Sequence, residues 1–241
     1  MDKRQGRTSR YIGTPSDWIE FFYLWGKKRI ELSLEDCDQE FPKISLDNEM
    51  VLEREKRIKQ TEERLKLTLP KSYKDFIVAT DSCVPAWGML DSRLGGWGSV
   101  DGMLAIEKIR LLKNSNPDLI SIYSPEDDDP MVSDADYYQY NNTQDGACTI
   151  RREYLKHLLQ IKSSGEELRE ILINPLVMTK DKEWEAWDFE TKSGYAMRFP
   201  SFAEMVFYFY MSDITDSDHA FDVVWSGAKV DPYHIGKVII S

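Results

Sequence analysis

The segment Glu183-Trp184-Glu185-Ala186-Trp187-Asp188-Phe189 holds the residue types from which a catalytic site could be built. Read as a strand, its alternation puts Glu183, Glu185, Trp187 and Phe189 on one face and Trp184, Ala186 and Asp188 on the other. Two strand rises separate the carboxylates of Glu183 and Glu185 by roughly 6.5–7 Å. That falls inside the ~6.5–9.5 Å spacing of inverting glycosidases, and tryptophan is a common platform for sugar rings. Catalytic acids flank a bond from opposite sides, however, which two neighbours on one strand cannot do. The expectation is therefore aromatic packing on both faces, with a glutamate bonded to nearby backbone.

Other chemistries find less support. Gly95-Gly96-Trp97-Gly98-Ser99-Val100-Asp101-Gly102 is a glycine-rich turn, not a dinucleotide loop. Reading from Gly96, the third glycine position holds Asp101, whose charge would face the pyrophosphate. The same stretch has Trp97 where a nucleophile elbow needs its first glycine. For the three histidines, His157, His219 and His234, nothing in the sequence supports a pair with a serine or cysteine. The acids of residues 126–136, and Asp213, Asp216, Asp218 and Asp222, lack the alternating ligands, turn glycine and closing glutamate of a calcium loop. Cys37, Cys83 and Cys148 are odd in number and far apart, fitting neither a disulfide framework nor a zinc spacing. No cofactor and no metal is expected.

Charge narrows the partners. With 31 basic and 42 acidic residues the net charge is −11, which repels nucleic acid phosphate and anionic lipid and favours a basic protein. A cytoplasmic location is expected, because Met1 to Gly13 carries Lys3, Arg4, Arg7 and Arg10 with no apolar run directly behind them. The run Trp18 to Trp25 is interrupted by Glu20 and is far below the ~18 residues of a membrane span.

The elements that must position these residues follow from pattern and punctuation. Residues 1–13 read as a flexible basic tail. A helix is predicted from about Ser16 to Trp25, ended by Gly26, and a second from Asn48 to Leu67 with an apolar stripe of Val51, Ile58 and Leu65. Glu53–Arg57, Glu55–Lys59 and Glu62–Lys66 are favourable i,i+4 pairs on that helix. Leu69-Pro70 breaks it and opens a third helix, whose face of Tyr73, Phe76 and Ile77 closes at Asp81. Residues 84–100 suggest short strands and turns, and Ile106 to Lys113 a helix. Residues 124–136 form an acidic loop, and Ile150, Tyr154, Leu155, Leu158 and Leu159 trace another helix. A meander follows: one strand over Leu168–Met178, or two parted at Pro175, then a turn, a strand over Glu183–Glu190, a turn at Gly194, and a strand over Tyr195–Phe199. Ser201 and Glu204 then make a capping box before an all-round apolar helix, Phe202 to Met211. Two further strands are predicted near Phe221–Trp225 and Lys237–Ile240. Helices first and antiparallel strands after give an α+β fold.

Leu69-Pro70-x-x-Tyr73-x-x-Phe76 after a charged helix resembles the opening of SMI1/KNR4 (SUKH) domains. Trp87-Gly88 stands where that family has its first hairpin, and Arg151 to Leu159 resembles its middle helix. Leu172-Ile173-Asn174-Pro175 followed by Glu183-Trp184-Glu185-Ala186-Trp187 is similar to its paired strands, and Phe199-Pro200-Ser201-Phe202 to the start of its closing helix. The resemblance spans residues 48–211, within a domain expected over 14–211, and leaves 212–241 as a C-terminal extension.

It implies a twisted, mostly antiparallel sheet with helices around it, in which Leu69, Pro70, Tyr73, Phe76, Asn174, Pro175, Trp184, Glu185, Trp187, Ser201 and Phe202 serve the structure. It implies a binding protein and not an enzyme. Bacterial members neutralise a cognate polymorphic toxin, often a nuclease, and fungal members are signalling scaffolds. An acidic protein can block a basic nuclease cleft, so Asp127, Asp128, Asp129, Asp134 and Asp136 are the expected steering charges, with Tyr137, Tyr138 and Tyr140 as anchors. The alternatives are a regulatory scaffold using the N-terminal aromatic helix or the C-terminal extension, and a carbohydrate-active enzyme using Glu183 or Glu185.

Overall fold

The computed structural model describes residues 10–31, 45–82, 102–124, 132–138, 140, 150–163, 168–214 and 239. The predicted elements at 84–100 and 221–225, all three cysteines, His219, His234 and Asp127 to Asp129 lie outside the described residues. The chain divides into two compact units, Lys108–Met205 and Arg10–Glu107 with Val206–Ser241.

The unit of Lys108–Met205 is built on a five-stranded antiparallel sheet in chain order. Its strands are β1 (Arg110–Leu111), β2 (Leu159–Lys162), β3 (Arg169–Met178), β4 (Trp184–Glu190) and β5 (Tyr195–Phe199). The α+β class and the β3–β4–β5 meander therefore stand as the sequence predicts. β3 pairs with β4 from Arg169↔Glu190 to Asn174↔Glu185, then shifts register before Met178↔Trp184. The shift falls at Pro175, which has no N–H for the ladder. The β4–β5 turn closes at Gly194, whose φ of +74° a side chain rarely adopts.

Two predicted helices are different elements. Ile106–Lys113 is a 3-10 turn (Ile106–Lys108), then β1, then the short helix α4 (Leu112–Ser115). Residues 150–159 form a 3-10 helix over Arg152–His157, after which Leu159 enters β2. β2 pairs with β1 on one side and β3 on the other and is buried throughout. A central strand buried on both faces shows no alternation, so Leu158-Leu159-Gln160-Ile161 has the spacing of a helix face. Helix α5 (Pro117–Ile122) starts on Asn116, whose side chain accepts from Leu119 N at 3.2 Å, and α6 (Asp134–Tyr137) starts on Ser133. Leu112, Leu119, Tyr137, Leu155, Leu172, Trp187 and Phe189 share one core cluster.

The other unit is helical. Helix α1 (Pro15–Glu31) continues through Gly26, where an end was predicted. Its Trp18, Phe21, Phe22 and Trp25 bury an aromatic ridge whose rings meet Phe76 and Tyr210 edge-on at 5.4–6.0 Å. A helix carrying that much aromatic surface gains more from packing than one glycine costs, about 1 kcal/mol. Helix α2 (Asn48–Leu65) ends two residues early, at Lys66, which takes φ +56° and caps the helix through its backbone N–H. Arg57 of α2 reaches across to Asp81 at 2.7 Å and to Glu107, and Arg54 donates to the carbonyls of Val78 and Ala79, the last turn of α3 (Lys71–Thr80).

The tail expected over 1–13 lies outside the described residues up to Ser9. Its end is anchored: Tyr11 is buried and donates to Asp75 Oδ2 at 2.8 Å, and Ile12 N donates to Ile239 O at 3.0 Å. Helix α7 (Phe202–Ile214) is capped by Ser201 Oγ on Glu204 N and is buried at every position from Phe202 to Met211 except Glu204. No helix among the described residues is long and apolar enough to cross a membrane.

Candidate functional site

The carboxylate of Glu185 is the centre of a buried polar cluster in the sheet unit. Alternation on β4 places it on the face of Trp187 and Phe189, where it is fully buried. Its cross-strand partner Asn174 donates to Oε2 at 3.0 Å, Trp187 Nε1 at 2.7 Å and Tyr137 Oη at 2.7 Å, while Arg198 of β5 donates to Oε1 at 2.8 Å. All these donors to Glu185 are side chains. A buried charge needs such saturation, because an uncompensated ion in the interior costs several kcal/mol.

Tyr137 is held from several sides. The guanidinium of Arg198 lies 3.8 Å from its ring centroid and also donates to its backbone carbonyl, and Arg151 lies 4.7 Å from the ring centroid. Burial, and then the charge of Glu185, push the Tyr137 phenol well above its usual range, so it stays protonated and donates. Tyr140 lies 5.1 Å under Arg198 and is shifted upward for the same reasons.

Tyr137 and Tyr140, expected as surface anchors for a partner, are therefore buried, at 0% and 8% exposure. The correction has a physical cause. Arg198 and Glu185 need flat, hydrogen-bonding neighbours to be tolerated in a core, and these tyrosines supply them. Tyr138 remains half-buried, with its ring 5.3 Å from that of Tyr137.

The acids on the same short helix do face water. Asp134 is 76% exposed and meets Arg151 at 2.5 Å. Asp136 is exposed and accepts from Ser133 Oγ at 2.6 Å, while Ser133 Oγ caps Asp136 N at 3.2 Å. Residues 134–136 thus belong to an ordered helical turn, not to the acidic loop expected over 124–136. Arg151 donates as well to the Val132 carbonyl at 2.8 Å and to Tyr154 Oη at 2.8 Å. The arrangement presents two carboxylates on a turn bonded down through Tyr137 to the sheet.

This cluster offers little to acid–base chemistry. Both oxygens of Glu185 are occupied by donors and closed to solvent, and Glu183 is 3% exposed at the head of the same strand. Among the described residues no three His, Cys, Asp or Glu side chains gather so as to hold a metal ion. The family-motif positions are buried: Leu69, Pro70, Tyr73, Phe76, Asn174, Trp184, Glu185, Trp187, Ser201 and Phe202, with Pro175 half-buried.

Sequence reasoning did not find Arg198 or Arg151. For Arg198 a signal exists: one cation in the strand Tyr195-Ala196-Met197-Arg198-Phe199, beside the Glu185 strand, requires a buried anion across the ladder. Comparison of the chain with protein-family models, curated proteins and solved structures finds no match.

Proposed function

We propose that this chain is a cytoplasmic binding protein of the SMI1/KNR4 type that neutralises a basic protein toxin, a nuclease being the class its charge fits best. The observation that carries the reading is the footing of α6. Glu185, Arg198 and Tyr137 are spent on fixing a turn whose Asp134 and Asp136 face water. With a net charge of −11, a fixed acidic turn suits capture of a basic cleft: complementary charge raises association rates toward ~10⁸–10⁹ M⁻¹s⁻¹ at low salt. The closed, saturated state of Glu185 weighs against the carbohydrate-active alternative.

The test begins with the source DNA on either side of the gene. A neighbouring reading frame with a basic C-terminal nuclease-like domain is expected. Co-expression of this chain should restore growth to cells producing that domain, and the two should co-purify. Glu183→Gln with Glu185→Gln, in a variant that remains folded, should still protect. Loss of protection in that folded variant would return the enzyme reading, and neighbours without any toxin-like protein would favour a scaffold.

A further inference from the structure

We infer a docking surface at the β3–β4 end of the sheet, where Leu176 and Met178 stand beside Lys180 and Lys182, fitted to an acidic protein segment that carries aliphatic side chains. It goes beyond the basic-toxin reading, which engages Asp134 and Asp136, so either can fail without the other. β3 is buried from Glu170 to Asn174 and then alternates. Leu176 and Met178 are exposed, at 51% and 44%, while Val177 between them is buried. Alternation along one strand puts the two exposed side chains on the same face, two strand rises or roughly 6.5–7 Å apart. They form one aliphatic strip, unlike apolar residues scattered singly over a surface.

The strip is held out by a bulge. Asn174 pairs with Glu185 and Met178 with Trp184, so Pro175, Leu176 and Val177 stand opposite no residue of β4. Bulges re-aim side chains in this way. Leu176 N–H donates to Asn174 Oδ1 at 3.0 Å, and Asn174 Nδ2 donates to Glu185 Oε2 at 3.0 Å. The buried carboxylate that receives Tyr137 of α6 therefore also fixes the shape of this bulge.

The charge of the occupant follows from the turn that closes the hairpin. Thr179 N–H donates to the Glu183 carbonyl at 2.8 Å, Lys182 N–H to the Thr179 carbonyl at 3.0 Å, and Glu183 N–H to Thr179 Oγ1 at 3.1 Å. This closed turn keeps Lys180, Asp181 and Lys182, all exposed, directly beyond Met178, while Glu183 is buried. Two cations against one carboxylate make a positive tip on a chain whose net charge is −11. Lys182 holds φ +62°, which glycine or asparagine adopts more readily, so the geometry of the turn does not by itself select lysine. The aliphatic strip supplies affinity, and the tip selects an acidic over a basic segment.

The full chain, ¹⁵N-labelled, would be titrated with three synthetic peptides of equal length: glutamate–leucine, glutamate–serine and lysine–leucine. The glutamate–leucine peptide should shift the amides of Leu176 to Lys182 and bind roughly tenfold more tightly than either of the others. Leu176→Gln with Met178→Gln should remove its advantage over glutamate–serine. Lys180→Glu with Lys182→Glu should remove its advantage over lysine–leucine. Both variants should keep the thermal midpoint within about 4 °C, because the groups they replace face water. Equal binding of glutamate–leucine and glutamate–serine would overturn the aliphatic strip, and equal binding of lysine–leucine the selection by charge. Absence of binding, or shifts that leave the hairpin untouched, would overturn the surface as a whole. A larger fall in the midpoint of Leu176→Gln with Met178→Gln would make the pair part of the packing, again against the inference. Sedimentation showing a dimer that this variant dissociates would assign the strip to a second copy of the chain and overturn the acidic partner.

Discussion

At the scale of single residues, what decides behaviour is how buried charge is compensated. Arg198 and Glu185, at 2% and 0% side-chain exposure, are affordable only together with Tyr137, Asn174 and Trp187. Arg198→Met strips Glu185 of its cation and should cost about 3–5 kcal/mol in urea unfolding. Adding Glu185→Gln should recover part of it, since the neutral amide no longer needs a counter-charge. A cost below about 1 kcal/mol for the single variant would mean that the neutral donors alone satisfy Glu185.

Glu170 makes a different prediction. Burial raises its carboxyl above the ordinary 4.5, against the opposing pull of the hydrogen bonds from Asn116 and Gln160. The folded protein therefore holds this proton to higher pH than the unfolded chain. Its stabilising contribution is complete below pH 4.5 and is lost as pH rises through the raised value. Glu170→Gln should gain on the native chain steadily as pH is raised from 4.5, read from denaturation midpoints at each pH; parallel profiles would show that Glu170 titrates alike in both states.

Among the elements, legibility tracked how much of the signal was local. The meander was readable because Gly194 and the 179–182 turn punctuate it, and because Tyr195–Phe199 and Trp184–Glu190 are rich in strand formers. The face on which Glu185 lies was readable too, since alternation fixes it whatever the partner. Its partners were not: Tyr137 is 48 positions away in sequence, and only the folded sheet brings α6 beneath Arg198. The misread helix at 150–159 shows the same limit, because β2 owes its extended form to β1 and β3 and not to its own spacing.

The tightest element-level constraint is the β4–β5 turn. Gly194→Ala both places a Cβ at φ +74° and drives it into the Tyr123 ring at 2.3 Å. The backbone cost is about 1–2 kcal/mol, and displacement of Tyr123 adds to it by weakening its bond to Thr191 and its edge contact with Phe189 at 5.6 Å. Thermal unfolding should show the loss, and Tyr123→Ala in the same chain should make Gly194→Ala cheaper than it is alone. Strict additivity of the two would mean that the ring is not what the new methyl meets.

For the molecule as a whole, the sequence spoke through charge, and the structure divides that charge into kinds with different consequences. Asp188, bonded by Arg169 at 2.5 and 3.0 Å and almost fully buried, serves the fold, as Glu185 does. Asp134 and Asp136 stand in water, and the pairing of Asp134 with Arg151 is worth less than about 1 kcal/mol there. Composition cannot separate these roles, which is why Tyr137 and Tyr140, next to the acidic run, were expected at the surface although both are buried. The separation predicts how neutralisation would act on partner capture. Asp134→Asn with Asp136→Asn should leave unfolding nearly unchanged yet lower the association rate with a basic partner, and flatten its dependence on salt between ~0.05 and 0.5 M, a range in which the Debye length falls well below 10 Å. Dissociation should hardly change, because charges at a solvated rim steer the encounter and release their partner no faster when removed. Stopped-flow association and dissociation rates across that salt series decide the matter. A variant that speeds dissociation with the association rate intact would place both carboxylates inside the buried centre of the contact.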